Sequence, residues 1–445
     1  MTLQSDAASE TACRTDLYDV ALKRFERAVS YLDLSEAVKN FLRVPKRELT
    51  VNFPVKMDNG EIANFAGYRV HHSTVLGPTM GGVRYTPHAN LDMVRALAMW
   101  TTWQCALVNL PYGGAKGAVI CDPAQLSTAE RERLTRRYAG EISVLIQGQS
   151  DIPAPDLGTD AQTIAWMMDT YSLVTGRSIP SLVTGQRTGH NRHNGHNGQH
   201  RPHVPITGSL DRADATGLGV VICLDEALCR VGLDQPAEVR IAIQGFGSVG
   251  RWVARHAAAM GYRVVAVSDI SGGLYDPNGL NVDDVIAYAE SNVGGVVAGY
   301  PCADAITNAD LLALDCDVLV PCALENQITR ENARDVRAFL IVEGATGPVT
   351  PAADLLLKRR DVTVIPDMLA NAGGVIVSYF EWVQGLQSFL WDAREVQRQL
   401  RRVLLKAYED VMRTRYEFGV TLRTAAQIAA IKRVSEAAMV RGLVP

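Results

Sequence analysis

The chain has 445 residues, of which 47% are hydrophobic, and its formal net charge is −4. That length suffices for two hydrophobic cores of ordinary size, so we expect a two-domain protein whose partners are nucleotides and small molecules. Lysine and arginine are dispersed and no apolar run reaches the roughly 18 residues of a membrane span, which argues against nucleic-acid and membrane partners.

The cysteines and the N-terminus bear on location. Eight cysteines are scattered without a C-x-x-C pair, which favours reduced thiols and no zinc site. Residues 1–16 are polar and lack the apolar stretch of a secretory signal. We expect a cytoplasmic protein without a metal site.

The first part of the chain mixes helical and strand patterns. Apolar residues recur with helical spacing over residues 17–45, and residues 49–55 then alternate like a half-buried strand. Asp58-Asn59-Gly60 predicts a turn, and residues 65–72 predict the strand that pairs with the first one. We expect an α+β domain over residues 1–185.

Two segments of this part are candidates for chemistry. Residues 110–118 place small residues around Lys116, a pattern that favours backbone closing around a small ligand. A lysine that is desolvated in such a cleft has a lowered pKa and can act as a general base. Asp156 comes forty residues later, directly after the rigid Pro153-Ala154-Pro155 segment.

Residues 186–204 have an unusual composition, with five of the nine histidines among Asn, Gly and Gln. Because nothing apolar there could offset the entropy of ordering, the segment favours a flexible surface loop inserted between two domains. A transition-metal-binding loop stays open as an alternative, although no carboxylate or cysteine fixes a geometry.

Residues 205–419 follow the pattern of a Rossmann-like nucleotide-binding domain. An apolar strand from residue 239 leads into a G-x-G-x-x-G motif and a helix over residues 251–260, followed by a second apolar strand that ends at Asp269. The motif residues are Gly245, Gly247, Ser248, Val249 and Gly250. Glycine permits close approach of a pyrophosphate, and the helix N-terminus favours its charge. Asp269 can bind ribose hydroxyls, which favours NAD and leaves NADP possible.

Three later apolar runs, at residues 318–320, 340–342 and 362–365, predict further strands of one parallel sheet. The fold class that we expect is therefore α/β, with an α+β domain and a Rossmann-like domain.

The order and wording of these motifs resemble the glutamate/leucine/phenylalanine/valine dehydrogenase family, and most closely its glutamate dehydrogenase branch, from about Pro45 onward. The resemblance implies that Lys116 activates the water that attacks an imine carbon and that Asp156 moves protons to and from the amine. It implies that Ala154 and Ser378 bind substrate and that Thr184, Thr216 and Asn371 lie near the nicotinamide. It also implies that residues 1–185 bind substrate and form oligomer contacts, and that a last helix, within residues 420–445, packs back onto this first domain. The oligomer that it implies is a hexamer of identical chains or with a paralogue.

Three residues depart from the family pattern. Met80 and Gln104 stand where glutamate dehydrogenases have lysines for the side-chain carboxylate and the α-carboxylate, and Thr346 stands where the family usually has a cofactor-facing asparagine. A charge-assisted hydrogen bond contributes ~1.5–3 kcal/mol against ~0.5–1.5 for a neutral one, so Gln104 should weaken carboxylate capture roughly tenfold or more.

Two functions follow as hypotheses. The first is an active NAD(P)-dependent L-amino-acid dehydrogenase, for glutamate by overall resemblance or for an apolar amino acid by Met80. The second is a catalytically weak regulatory subunit that assembles with an active paralogue. Met80, Gln104 and Thr346 favour the second function, whereas Lys116 and Asp156 favour the first.

Overall fold

The computed structural model describes residues 17–146, 150–176, 183–184 and 212–442. The predictions for residues 1–16 and for the histidine-rich segment 186–204 lie outside these ranges.

The first part of the chain forms a five-stranded mixed sheet with strand order β1-β2-β4-β3-β5. Its elements are α1 (Leu17–Val29), α2 (Glu36–Arg43), β1 (Arg47–Lys56), β2 (Ile62–His71), β3 (Thr79–Thr86), α3 (Leu91–Leu107), β4 (Gly113–Ile120), α4 (Thr128–Ile142), β5 (Asp151–Pro155) and α5 (Ala161–Thr175). The predicted hairpin is confirmed, because β1 pairs antiparallel with β2 and the turn carries Gly60 at φ +88°.

The glycine-rich segment around Lys116 is an extended strand, β4, at the centre of this sheet. Its glycines make room for other parts of the backbone: a Cβ on Gly113 would lie 1.7 Å from the carbonyl oxygen of Ser73, and one on Gly114 would lie 2.3 Å from the backbone of α3. The expectation that this backbone closes around a ligand was wrong for these two glycines. They instead let α3 and a neighbouring loop pack against the strand.

The second part forms a seven-stranded sheet with strand order β12-β11-β10-β6-β7-β8-β9. Its elements are α6 (Arg212–Arg230), β6 (Arg240–Gln244), α7 (Ser248–Ala259), β7 (Arg263–Asp269), β8 (Gly272–Tyr275), α8 (Val282–Ser291), β9 (Asp304–Ile306), α9 (Asn308–Leu312), β10 (Val318–Pro321), β11 (Leu340–Val342), α10 (Pro351–Arg359), β12 (Thr363–Ile365), α11 (Asp367–Ala370), α12 (Gly373–Gln387), α13 (Ala393–Phe418) and α14 (Leu422–Val440).

The strands from β12 to β7 are parallel, as predicted, and the βαβ unit around the glycine motif is confirmed. Two strands that the sequence interpretation did not predict, β8 and β9, add antiparallel pairing at one edge of this parallel sheet. Both are short and β8 begins with two glycines, so neither carries a strand periodicity in the sequence.

A continuous hydrophobic core joins the two parts. The C-terminal helix α14 packs against α1 and α3 of the first part and against β12 of the second. Phe25 and Trp103 stack with their ring centroids 5.9 Å apart beneath this contact. The cleft between the sheets is therefore closed off at its base by α1, α3 and α14.

A buried charge cluster fixes α14 to the second sheet. Arg423 pairs with Glu343 at 2.7 Å and with Asp354 at 3.2 Å, and its guanidinium lies 3.6 Å from Asp367. Glu343 has no exposed surface, and burial raises its pKa although Arg423 opposes the rise. Arg423 is the arginine in direct contact with these carboxylates, and the buried Arg24 adds a weaker favourable charge.

We expect Arg423→Met to lower the free energy of unfolding by about 3–5 kcal/mol, because it leaves buried carboxylates without their partner. Urea unfolding measures the change. Lys432→Met removes a positive charge from an exposed position on the same helix and should change stability by no more than about 0.5 kcal/mol. Equal effects of the two variants would contradict this account.

Candidate active site

A cavity of about 1440 Å³ lies between the two sheets. It receives side chains from β3, α3, β4 and the end of β5 on one side, and from α6, the glycine motif and the loops after β10 and β11 on the other. Twelve of the residues predicted for the site line it: Met80, Gln104, Lys116, Asp156, Thr216, Gly245, Gly247, Ser248, Val249, Asp269, Thr346 and Asn371.

The other four predicted residues are not among the side chains that line the cavity. Ala154 is buried on β5 beside Gly82, and the Thr184 amide donates to the Pro153 carbonyl at 3.1 Å. Ser378 is buried on α12. Gly250 lies in the first turn of α7, where a Cβ would come 1.8 Å from the carbonyl oxygen of Gly245.

Lys116 and Asp156 form an ion pair in the cavity. The Nζ atom of Lys116 lies 2.8 Å from Oδ1 of Asp156, and Lys116 is only 7% exposed. Burial lowers the pKa of Lys116 to about 8, against the opposing effect of the Asp156 carboxylate. Burial alone would raise the pKa of Asp156, but Lys116 and Arg84 outweigh it and hold that pKa well below its usual range. The pair therefore joins an amine that can lose its proton near neutrality to a carboxylate that stays ionised.

The glycine motif is shaped for a phosphate group. Gly245 has φ +92°, a left-handed conformation that other residues adopt with strain, and nothing lies within 4 Å of the place that a Cβ on Gly247 would occupy. The backbone amides of the first turn of α7 follow directly. A helix N-terminus behind an open glycine is a favourable place for a pyrophosphate.

Asp269 ends β7 at the edge of the same cavity. Its Oδ1 accepts the backbone N–H of Ser271 at 2.8 Å, and its Oδ2 accepts that of Val297 at 2.8 Å. These bonds fix the carboxylate where the adenosine ribose of a dinucleotide would lie. The neighbouring Ile270 is 98% exposed.

The three departures from the family pattern meet at the base of the cavity. Met80, on β3, has no exposed surface. The side-chain amide of Gln104 donates to Oδ1 of Asn371 at 2.6 Å, and Asn371 in turn lies within 3.4 Å of the carbonyl oxygens of Gly344 and Ala345. Gln104 is thus linked through Asn371 to the loop that carries Thr346, on the opposite side of the cleft.

Arg84 and Arg212 are among the cavity arginines that the sequence interpretation missed. Arg212, at the start of α6, has an Nη1 atom that is buried without a hydrogen-bond partner among the described residues, and burial lowers its pKa. Ser378 Oγ is likewise buried and unpartnered within that part of the chain. Arg84, on β3, contacts Asp156. The sequence offered a signal for Arg212, because a lone arginine begins a helix of small residues. It offered none for Arg84, whose sequence surroundings are those of any arginine on a strand.

Within the described ranges, no cluster of three or more His, Cys, Asp or Glu side chains has the arrangement of a metal site. None of the helices in those ranges is long and apolar enough to cross a membrane.

Comparison with protein families matches both parts of the chain. Residues 45–173 match the Glu/Leu/Phe/Val dehydrogenase dimerisation domain, and residues 207–442 match the Glutamate/Leucine/Phenylalanine/Valine dehydrogenase domain. The chain is 47% identical to the glutamate dehydrogenase of Thermotoga maritima over 430 residues, covering 96% of this chain and 99% of that one. It is 41% identical to the NAD-specific glutamate dehydrogenase of Staphylococcus aureus over 94% of this chain and 96% of that one.

Solved structures show the same fold. The hetero-hexameric glutamate dehydrogenase from Thermus thermophilus, in its leucine-bound form, superposes with a TM-score of 0.88 at 38% identity, covering 96% of this chain and 98% of that one. The glutamate dehydrogenase from Peptoniphilus asaccharolyticus gives a TM-score of 0.80 at 34% identity, covering 96% and 100%. The expected α/β fold class is confirmed.

Proposed function

This chain belongs to the glutamate/leucine/phenylalanine/valine dehydrogenase family, and we propose that it oxidises an L-amino acid with NAD to the 2-oxo acid and ammonia. The observation that carries this proposal is the Lys116–Asp156 ion pair, 2.8 Å across, in the cavity that also contains the glycine motif. Glutamate is the substrate that the relatives' names favour.

Lys116 and Asp156 carry out different proton transfers in this reaction. A bound nicotinamide would supply the acceptor for the hydride on the substrate Cα, and oxidation of the deprotonated amine in this way gives a protonated imine. Neutral Lys116 then accepts a proton at Nζ from the water that attacks the imine carbon. Asp156 carries protons at its carboxylate to the nitrogen that departs as ammonia. Because its Oδ1 touches Lys116 Nζ, a proton can pass between the two groups.

The residues present fit a dinucleotide. Gly245, Gly247 and Gly250, with the amides of Ser248 and Val249, would hold the pyrophosphate at the start of α7. Asp269 would bind the ribose hydroxyls and repel a 2′-phosphate, so we propose NAD over NADP. Thr184, Thr216, Thr346 and Asn371 would surround the nicotinamide.

Cations remain in the cavity despite Met80 and Gln104, because Arg84 and Arg212 line it together with Lys116. Arg212 offers an unpaired buried Nη1, and Ser378 offers an unpaired hydroxyl, among the described residues. Met80 and Ala154 would contact the substrate side chain. A substrate carboxylate therefore has a partner, but a weaker set of partners than two lysines would provide.

A regulatory subunit of a hetero-hexamer is the second candidate. The observation that favours it is the Gln104–Asn371 hydrogen bond of 2.6 Å, which occupies a side chain expected to bind the α-carboxylate. A nicotinamide-absorbance assay across L-amino acids with both cofactors separates the two candidates. Turnover by the purified chain supports the enzyme, and none with any amino acid supports the subunit.

The pH dependence of kcat/KM tests the role of Lys116. The base must be unprotonated, so kcat/KM should rise by about tenfold per pH unit below the Lys116 pKa of about 8 and level off above it. Asp156 stays ionised throughout this range and adds no second inflection. A profile that is flat across this range would contradict the assignment of Lys116 as base.

The proposal also covers the domain division, the location and the assembly of the chain. We propose a division into residues 1–185 and 205–419, with residues 420–445 returning to the first part. We also propose a cytoplasmic location. Strand β1 lies at the edge of its sheet, and the side that pairs with no strand among the described residues could continue the sheet across a symmetric interface.

Light scattering of the chain expressed alone should therefore give the mass of a hexamer. Co-expression with an active paralogue provides the comparison. A well-folded monomer that forms hexamers only with the paralogue would instead support the regulatory subunit.

A further inference from the structure

Arg84 connects the two sides of the cleft through one guanidinium. Its Nε donates to Oδ2 of Asp156 at 2.7 Å, and its Nη1 donates to Oε1 of Glu325 at 2.8 Å. Asp156 follows β5 of the first sheet, whereas Glu325 follows β10 of the second. Each side of the cleft therefore contributes one carboxylate to the same arginine.

Glu325 is itself tied to the loops around the proposed cofactor site. The side-chain Nε2 of Gln327 donates to the Glu325 carbonyl oxygen at 3.1 Å. The side-chain Nε2 of Gln244 donates in turn to Oε1 of Gln327 at 2.8 Å. The backbone N–H of Asn326 donates to the Gly347 carbonyl at 3.0 Å. Hydrogen bonds therefore link the Glu325 segment to the strand end that precedes the glycine motif and to the loop that carries Thr346.

The contacts of Asp156 make this connection relevant to catalysis. One carboxylate oxygen touches Lys116, and the other touches Arg84. The side chains of Arg84, Asp156 and Glu325 are 11%, 20% and 21% exposed, so water screens these pairs less than it screens surface pairs. A planar guanidinium can hold two carboxylates in fixed directions, which a lysine ammonium cannot do as well.

We propose that Arg84 is a positioning residue that couples closure of the cleft to the alignment of Asp156 with Lys116. When the second sheet approaches, Glu325 engages one side of the guanidinium and fixes the direction of the other side, which holds Asp156. This inference rests on the proposed dehydrogenase function, since alignment matters only where Asp156 moves protons.

A double-mutant cycle tests the coupling. Glu325→Gln should lower kcat/KM for the amino acid about tenfold, while the Kd for NAD in the absence of amino acid stays within about twofold. Arg84→Lys should lose more, because it weakens both contacts. The double variant should be no worse than Arg84→Lys alone. Losses that multiply, or a Glu325→Gln variant with unchanged kcat/KM, would overturn the proposal.

Glu226→Gln is the matched control. Glu226 pairs with Arg230 at 2.7 Å, its side chain is 23% exposed, and it lies on α6 outside the cavity lining. This variant should keep the parent kcat/KM. An equal loss in the control would show that loss of any ion pair lowers kcat/KM. It would reject a specific role for the bridge that Arg84 forms between Asp156 and Glu325.

Hydrogen exchange tests the bridge without turnover. Backbone amides of residues 323–328 and 343–348 should exchange about tenfold faster in Glu325→Gln and Arg84→Lys, but not in Glu226→Gln. If the parent lacks turnover and these rates rise, the dehydrogenase function fails while the bridge stands. If the parent turns over and the rates do not change, the bridge fails while the function stands.

Discussion

Lys116→Ala is expected to lower kcat by about 10²–10⁴-fold while leaving the affinity for NAD nearly unchanged. The reason is the position of Nζ, 2.8 Å from the Asp156 carboxylate in a buried part of the cavity. The glycine motif, which would bind the cofactor, lies on the opposite side of the cleft. Alanine fits the β4 backbone, so the loss should be chemical. Single-turnover kinetics, together with NAD titration, measures both quantities.

Two further variants separate loss of the base from loss of charge. Lys116→Arg keeps a positive charge but cannot deprotonate near neutral pH, so it should be nearly as slow as Lys116→Ala. Lys46→Ala removes an exposed lysine that bonds to Thr74, and it should leave kcat unchanged. A Lys116→Ala variant with full kcat would show that the proposed mechanism is wrong.

Local patterns predicted most of the second sheet. Buried parallel strands read as short apolar runs, and the three runs after the glycine motif correspond to β10, β11 and β12. The motif itself needs glycine for reasons confined to a few residues, such as the contact between Gly250 and the Gly245 carbonyl. Local signals of this kind can be recognised in the sequence without knowledge of the tertiary structure.

The contacts across the cleft could not be predicted in this way. Gln104 and Asn371 are 267 residues apart, and Arg84 and Glu325 are 241 apart, so no spacing rule relates them. The glycines of β4 show the other limit. A glycine signals close approach by some other atom, but the sequence does not say whether that atom belongs to a ligand or, as at Gly113, to the protein backbone.

The double variant Met80→Lys/Gln104→Lys is expected to raise kcat/KM for glutamate about tenfold or more. A lysine at position 80 would face the substrate side-chain carboxylate from β3, where Met80 now leaves it without a charged partner. A lysine at position 104 can still donate to Asn371 Oδ1, so the contact across the cleft need not be lost. Steady-state kinetics with glutamate and with leucine measures the change.

The comparison with leucine distinguishes altered specificity from a general effect on turnover. Charge introduced beside an apolar side chain has no partner and costs several kcal/mol of binding, so kcat/KM for leucine should fall as that for glutamate rises. A melting temperature near that of the parent would show that the buried lysine is tolerated. If the double variant is no better on glutamate, another group already neutralises the carboxylates. Arg212, whose Nη1 has no hydrogen-bond partner among the described residues, is then the residue to replace next.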